Sequence, residues 1–228
     1  MKVPDGPGSQ RWRELIAAGA AELGTHVTTV QMDALACHAA ELVKWNKKIN
    51  LTRISDPADM ALKHYVDSLA CIPYISTGAD VLDIGSGGGF PGIPLAVVAR
   101  PRSVLLIDSV AKKISFLQHV IRLMGLTNAQ ARHTRAQDLQ SQAAYQGFFD
   151  RVVCRALADI EQIIDLAFPL LKPGGMVVAL KGRVDRVVQE SRRLEITGHA
   201  MPGPADMRIT TYRLPVLNVE RNLVLLTK

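Results

Sequence analysis

The chain has 228 residues and 48% of them are hydrophobic, so it can bury the core of one mid-sized domain and is not a disordered polymer. No apolar run approaches the ~20 residues that span a bilayer. The amino-terminal stretch Met1 to Gly8 lacks the apolar core of a secretory signal, and a cytoplasmic protein is expected. The net charge of +6 and a pI near 9.4 favour a polyanionic partner without deciding for one.

Residues 1–8 read as a flexible tail, 9–76 as a helical cap, and 77–228 as the main domain. Ser9 caps a helix carrying Trp12, Leu15, Ile16 and Leu23 at helical spacing. Thr28 or Thr29 caps a second, with Val30, Leu35, Leu42, Trp45 and Ile49 on or near one stripe. Asp56-Pro57 opens a third, proline sitting at its first position. From Val81 the pattern alternates. Strands are predicted at Val81 to Ile84, Val104 to Asp108, Ala129 to His133, Phe148 to Cys154 and Met176 to Lys181. Helices are predicted at Ile114 to Met124, Ile160 to Leu170 and Val184 to Leu194. Thr210 to Leu217 and Arg221 to Thr227 read as two strands joined by a short turn containing Asn218. A parallel βα array closed by an antiparallel hairpin makes a three-layer α/β/α, Rossmann-like fold with a mostly parallel seven-stranded sheet.

The stretch Asp83-Ile84-Gly85-Ser86-Gly87-Gly88-Gly89-Phe90-Pro91-Gly92 joins the first strand to a helix. Such a turn lets a ligand approach the backbone closely. A dinucleotide fingerprint places its third glycine at the sixth position, which here is Phe90. The pattern Gly85-x-Gly87-x-Gly89 after an acidic strand end is instead similar to the cofactor loop of S-adenosylmethionine (SAM) methyltransferases. Asp108 ends the second strand, where a carboxylate accepts both ribose hydroxyls of a nucleoside cofactor. It can at the same time cap the helix after it.

Larger blocks extend the likeness. Lys44-Trp45-Asn46 with Asn50-Leu51-Thr52, His64 to Leu69, Asp83 to Leu95, Asp108-Ser109 with Lys112-Lys113, Phe149-Asp150 with Arg155-Ala156, and Leu180-Lys181-Gly182 follow one another in order. In these the chain resembles the RsmG (GidB) family of bacterial 16S rRNA guanine-N7 methyltransferases. The resemblance implies SAM as cofactor and 16S rRNA as substrate, free or within the small subunit or an assembly intermediate, with methylation in the decoding-region loop. It implies cofactor contacts at Gly85, Phe90, Ala136, Gln137 and Arg155, which join Gly87, Gly89 and Asp108 of the patterns above and Asp83, expected at the SAM amino group directly or through water. The family more often has Glu where Gln137 stands; an amide oxygen still accepts from adenine N6 but brings no charge.

The residues also limit the target atom. The Asp/Asn-Pro-Pro-aromatic stretch of exocyclic-amine methyltransferases is absent, and Val153-Cys154-Arg155-Ala156 stands in its place. Cys154 lacks the preceding proline of a carbon-5 nucleophile and reads as an inert buried thiol. The three cysteines, Cys37, Cys71 and Cys154, show neither paired nor zinc-type spacing, so no disulfide and no metal is expected. Guanine N7 carries an in-plane lone pair and no proton, so methyl transfer to it requires alignment rather than a general base. A guanidinium on N7 would occupy that lone pair, so Arg155 is expected on the SAM carboxylate, a phosphate or O6 alone. His64 and Asp67 either position the base or form a structural pair fixing the cap to the sheet. Lys44, Lys47, Lys48, Arg53, Lys63, Lys112, Lys113, Lys181 and Arg183 are the RNA-binding candidates, whereas Arg186, Arg192 and Arg193 read as a solvated helix face. With 5% aromatic residues, recognition should depend on phosphates and RNA shape. The alternatives are a SAM methyltransferase with another RNA, a protein or a small molecule as acceptor, and a non-catalytic SAM-binding regulator. A monomer is the default state.

Overall fold

Alternation along each central strand sends apolar side chains to both faces, so each face must be covered by helices. The computed structural model describes residues 6–155, 159–182 and 204–228. Arg183, Ala156 and the helix expected at Val184 to Leu194, with its three arginines, lie outside the described residues. The strands are β1 (Asp80–Ile84), β2 (Ser103–Asp108), β3 (Ala129–His133), β4 (Phe149–Arg155), β5 (Leu171–Lys181), β6 (Asp206–Leu214) and β7 (Val219–Thr227). They form one sheet in the order β3-β2-β1-β4-β5-β7-β6. β1 to β5 pair in parallel, and β7 runs antiparallel to both β5 and β6. This is the expected mostly parallel seven-stranded architecture, closed by its hairpin.

The helices are α1 (Gln10–Glu22), α2 (Thr29–Ile49), α3 (Pro57–Met60), α4 (Asp67–Leu69), α5 (Gly92–Val98), α6 (Ala111–Leu123), α7 (Ala136–Gln140) and α8 (Ile160–Ala167). Ser9, Thr28 and Asp56 cap the first three through their side chains, and Thr28 with Gln31 completes a capping box. A π-helical turn, Ala61–Val66, joins α3 to α4. One apolar cluster unites α1, α2, the π turn, α5 and α6 with Val81, Leu106 and Val153 of the sheet. A second, on the opposite face, packs α8 and Leu139 of α7 against Leu82, Ile84 and Ile107. Trp12 is 1% exposed and meets Tyr65 edge to face at 5.2 Å, as a core anchor should.

Four expectations are corrected. β5 is longer than the predicted Met176 to Lys181, beginning at Leu171 and carrying Lys172-Pro173-Gly174-Gly175 within a shift of register against β4. β6 begins at Asp206 rather than Thr210, and the turn spans Pro215 to Asn218 with Val216 and Asn218 left-handed. The helix predicted to run to Leu170 ends at Ala167 and is continued by a 3-10 turn, Phe168–Leu170, where Pro169 supplies no amide hydrogen. α7 is a helix that the sequence pattern did not reveal, and Val30, expected on or near the apolar stripe of α2, is instead 79% exposed in its first turn. At the opposite end of the sheet from the glycine loop, Asp80 pairs with Arg102 while Lys172 lies 2.9 Å from Asp150. Lys172 also lies 3.7 Å from Asp80, so these contacts tie the amino ends of β1, β2, β4 and β5.

Candidate cofactor and RNA site

Strand order reverses between β1 and β4, with β2 and β3 on one side and β5 on the other. Ligands of open α/β sheets bind outside the carboxyl ends of the strands at such a switch point. A cavity of about 460 Å³ lies there, lined by Ile84, Gly85, Asp108, Ala136, Gln137 and Arg155 among others. Its size falls in the usual range for small-molecule sites, about 300–1,000 Å³. A recess of about 390 Å³ near Val30 and Asn128 has no acidic lining residue and is the poorer candidate for a ribose or an ammonium.

The glycine loop shapes one wall. Gly87 has φ 56° and aims its amide at Asp108, N to Oδ2 3.0 Å. Gly92 approaches Asp83 so closely that a Cβ would lie 2.5 Å from Oδ2. Its amide instead donates to that oxygen at 2.9 Å. Asp83 is fully buried, and its Oδ1 has no hydrogen-bond partner among the described residues. Burial pushes its carboxyl up to about 7, with the Asp108 charge adding a smaller upward push.

Asp108 accepts from Gly87 on Oδ2 and from Val110 N on Oδ1 (2.9 Å), and Lys113 Nζ stands 3.6 Å away. It does not cap α6, which starts at Ala111 with Val110 as N-cap. One lone pair on each carboxylate oxygen remains for a ligand.

His64 and Asp67 do not bond to each other; each meets Arg155. His64 Nδ1 is 3.1 Å from Arg155 Nη1, and His64 Nε2 is 2.7 Å from Thr52 Oγ1. Arg155 also donates to the Lys63 carbonyl and lies 3.5 Å from Asp67. Asp67 accepts from Tyr212 OH at 2.7 Å and is 3.7 Å from Arg221, so the terminal hairpin docks on the π-turn region. The Phe90 ring stacks on His64 at 4.4 Å and meets Tyr65 edge to face. Asp83, Gly87, Gly89 and Phe90 are not among the lining residues of the cavity, whereas Gly85, Asp108, Ala136, Gln137 and Arg155 are. Cys154 is 2% exposed and burial pushes its thiol up to about 12, so at neutral pH it is no nucleophile.

The sequence model of the GidB family, described as rRNA small subunit methyltransferase G, matches residues 31–201. The chain belongs to the GidB family. Ribosomal RNA small subunit methyltransferase G of Geobacter metallireducens is 41% identical over 219 residues, covering 95% of this chain and 96% of the relative. The enzyme of the same name from Geobacter sp. strain M21 is 42% identical over 209 residues, 87% of this chain and 95% of its own. Among solved structures, the ribosomal protein L11 methylase of Lactobacillus delbrueckii subsp. bulgaricus matches with TM-score 0.55 and 18% identity, covering 73% of this chain and 79% of that one. TYW2 of M. jannaschii in complex with AdoMet matches with TM-score 0.52 and 18% identity, covering 71% and 73%. These two share the fold. As a GidB member the chain is a SAM-dependent methyltransferase.

Of the basic candidates, Lys44 pairs with Glu41 at 3.1 Å and Lys63 with Asp59 at 2.7 Å, while Lys113 faces Asp108. Lys47, Lys48, Arg53 and Lys112 are exposed, and Lys181 is partly exposed. Among the described residues no group of three His, Cys, Asp or Glu could hold a metal ion, and no helix is long and apolar enough to cross a membrane.

A buried histidine escaped sequence reasoning. His38 on α2 is fully buried; its Nε2–H donates to the Gly88 carbonyl at 3.0 Å, and its Nδ1 accepts from Tyr65 OH at 2.8 Å. It braces the glycine loop from the helical side. Its signal was positional, a polar residue on the buried stripe of Leu35, Ala39 and Leu42. Burial drives the His38 ring down to about 4 and, with Arg155 beside it, His64 to about 3, so both are neutral.

These shifts predict an acid limb of stability. Both histidines bind a proton more readily unfolded, at the ordinary value of 6.5, so each loses stability as pH falls below 6.5 towards its folded value. Asp83 does the opposite, because its folded pKa of about 7 exceeds the ordinary 3.8. Two histidines against one aspartate leave a net loss of roughly 1.4 kcal/mol per pH unit between about pH 6 and about pH 5. Thermal unfolding against pH should show this slope, and Asp83→Asn should steepen it. An unaltered slope in Asp83→Asn would place the Asp83 carboxyl in its ordinary range.

Proposed function

We propose that this protein transfers a methyl group from SAM to N7 of a guanine in the 16S rRNA of the small ribosomal subunit, without a general base. The family match over residues 31–201 carries this reading, because its span includes the switch-point cavity. Bound SAM supplies a sulfonium-activated methyl group. The chain's own residues bind and orient it. Asp108 offers its two remaining lone pairs to the ribose hydroxyls. Gly85 and Ala136 line the adenosine end, and the Gln137 amide oxygen accepts from adenine N6. The unpartnered Oδ1 of buried Asp83 suits a cationic amino group, reached directly or through water. Arg155 ties β4 to the π turn and sets the wall between cofactor and base. N7 then needs only alignment and exclusion of water. A ribosomal substrate supports action in the cytoplasm.

The test is methyl transfer from labelled SAM to free 16S rRNA and to small subunits lacking the modification, followed by nucleoside analysis. Label in 7-methylguanosine is expected, and the better substrate of the two identifies the form acted on. SAM binding without label in either RNA would overturn the reading. If Lys47, Lys48, Arg53 and Lys112 each meet a phosphate, log affinity should fall with log salt at a slope near −3, taking roughly −0.7 per contact with single strands. Lys47→Ala with Lys48→Ala should shallow that slope by about 1.4. An unchanged slope in filter binding would remove them from the interface.

A further inference from the structure

The hydrogen-bond chain from Arg155 through His64 leaves Thr52 with only a proton to offer. A guanidinium does not lose its protons, so Arg155 Nη1 donates to His64 Nδ1, 3.1 Å away. The neutral ring then carries its hydrogen on Nε2 and donates it to Thr52 Oγ1 at 2.7 Å. Ile54 N donates to the same oxygen at 3.0 Å. A hydroxyl oxygen has two acceptor sites, and both are filled. Its own proton has no acceptor among the described residues.

Thr52 is held for this purpose on both sides of its backbone. Its amide donates to Asn46 Oδ1 at 2.9 Å, and Asn46 Nδ2 donates to its carbonyl at 2.9 Å. The residue is half-buried. The preceding Leu51 carbonyl lies 3.7 Å from where a Cβ on Gly88 would stand, so this loop borders the glycine loop. Arg155, at the other end of the chain of bonds, lines the cavity.

We propose that Thr52 selects and positions the target guanine by donating its hydroxyl proton to O6. This rests on the guanine-N7 reading above. Guanine presents N7 and O6, both acceptors, on one edge. N7 must keep its lone pair for the methyl group, which leaves O6 for the donor. Adenine presents an amino group at the equivalent position and meets the hydroxyl donor to donor. The donor is neutral, half-buried and linked through His64 to Arg155 of the cavity wall, whereas the exposed cations of α2 and of Arg53 suit phosphates.

The test crosses a protein change with a base change. Full-length 16S rRNA is assembled by ligation with either guanine or 2-aminopurine, which keeps N7 and lacks O6, at the methylated position. Thr52→Val should lower kcat/KM on the guanine RNA roughly tenfold, the loss of one hydrogen bond, and leave the 2-aminopurine RNA unaffected. Thr52→Ser should restore the guanine rate, and SAM affinity should hold in both variants. Equal losses on the two RNAs would overturn the proposal, since a structural role or a phosphate contact is blind to O6. Should Thr52→Val fail to fold, the wild-type protein alone decides: it should use the 2-aminopurine RNA roughly tenfold less well, and equal use overturns the contact. No label from the wild type in guanine RNA would overturn the function reading and this one with it.

Discussion

Asp108→Ala is expected to weaken SAM binding by about 1.5–3 kcal/mol, the range for hydrogen bonds to a charged acceptor. Both oxygens already hold backbone amides, Gly87 N at 3.0 Å and Val110 N at 2.9 Å. The substitution therefore removes the proposed ribose acceptors and also frees the turn that holds them. Asp108→Asn should recover little. One of its two terminal atoms becomes a donor, which faces either the Gly87 or the Val110 amide. Titration calorimetry with SAM measures the affinity, and thermal unfolding without ligand separates loss of contact from loss of fold. An unaltered dissociation constant would remove Asp108 from the cofactor site.

Arg155→Ala should destabilise the fold by about 2–3 kcal/mol. Truncating one partner of a buried charged pair costs about 3–5 kcal/mol, and Asp67 retains Tyr212 and Arg221, which reduces the loss. For a chain of this size that is a fall of roughly 5–10 °C in midpoint temperature. The His64 Nδ1 acceptor and the Lys63 carbonyl lose their donor at the same time. SAM affinity measured below the transition discriminates the roles. Retained affinity with lost methylation marks Arg155 as a positioning residue, and lost affinity would put its guanidinium on the cofactor carboxylate.

The parallel core was legible because β1 and β2 are short, mostly apolar runs, buried along β1 from Asp80 to Ile84. The starts of α1, α2 and α3 were legible because Ser9, Thr28 and Asp56 are capping residues. The start of β5 was not, since Pro173-Gly174-Gly175 read as punctuation while the strand continues through them by shifting register. The π turn was also hidden. It inserts without any proline or glycine, and its reason is tertiary, placing the Lys63 carbonyl, His64 and Tyr65 against Arg155, Phe90 and His38. In the site, the glycine loop and Asp108 follow from local patterns. The partners of His64 and Asp67 do not, because Arg155 and Tyr212 are remote in sequence and nothing local announces them.

The two braces on the π-turn region differ in when they can form during synthesis. His38 and Tyr65 precede Gly88, so the grip on the glycine-loop carbonyl is available once the first strand and its loop have left the ribosome. The clamp on Asp67 waits for Tyr212 and Arg221, in the last two strands. A chain stopped before residue 206 would keep its early brace, yet leave a nearly buried carboxylate facing Arg155 alone. Its central strand β5 would also become a bare edge where β7 should pair. Loss of the tail would thus act at a distance, by stripping Asp67 of its Tyr212 hydrogen bond and its second cation beside Arg155, and by exposing a strand that invites aggregation.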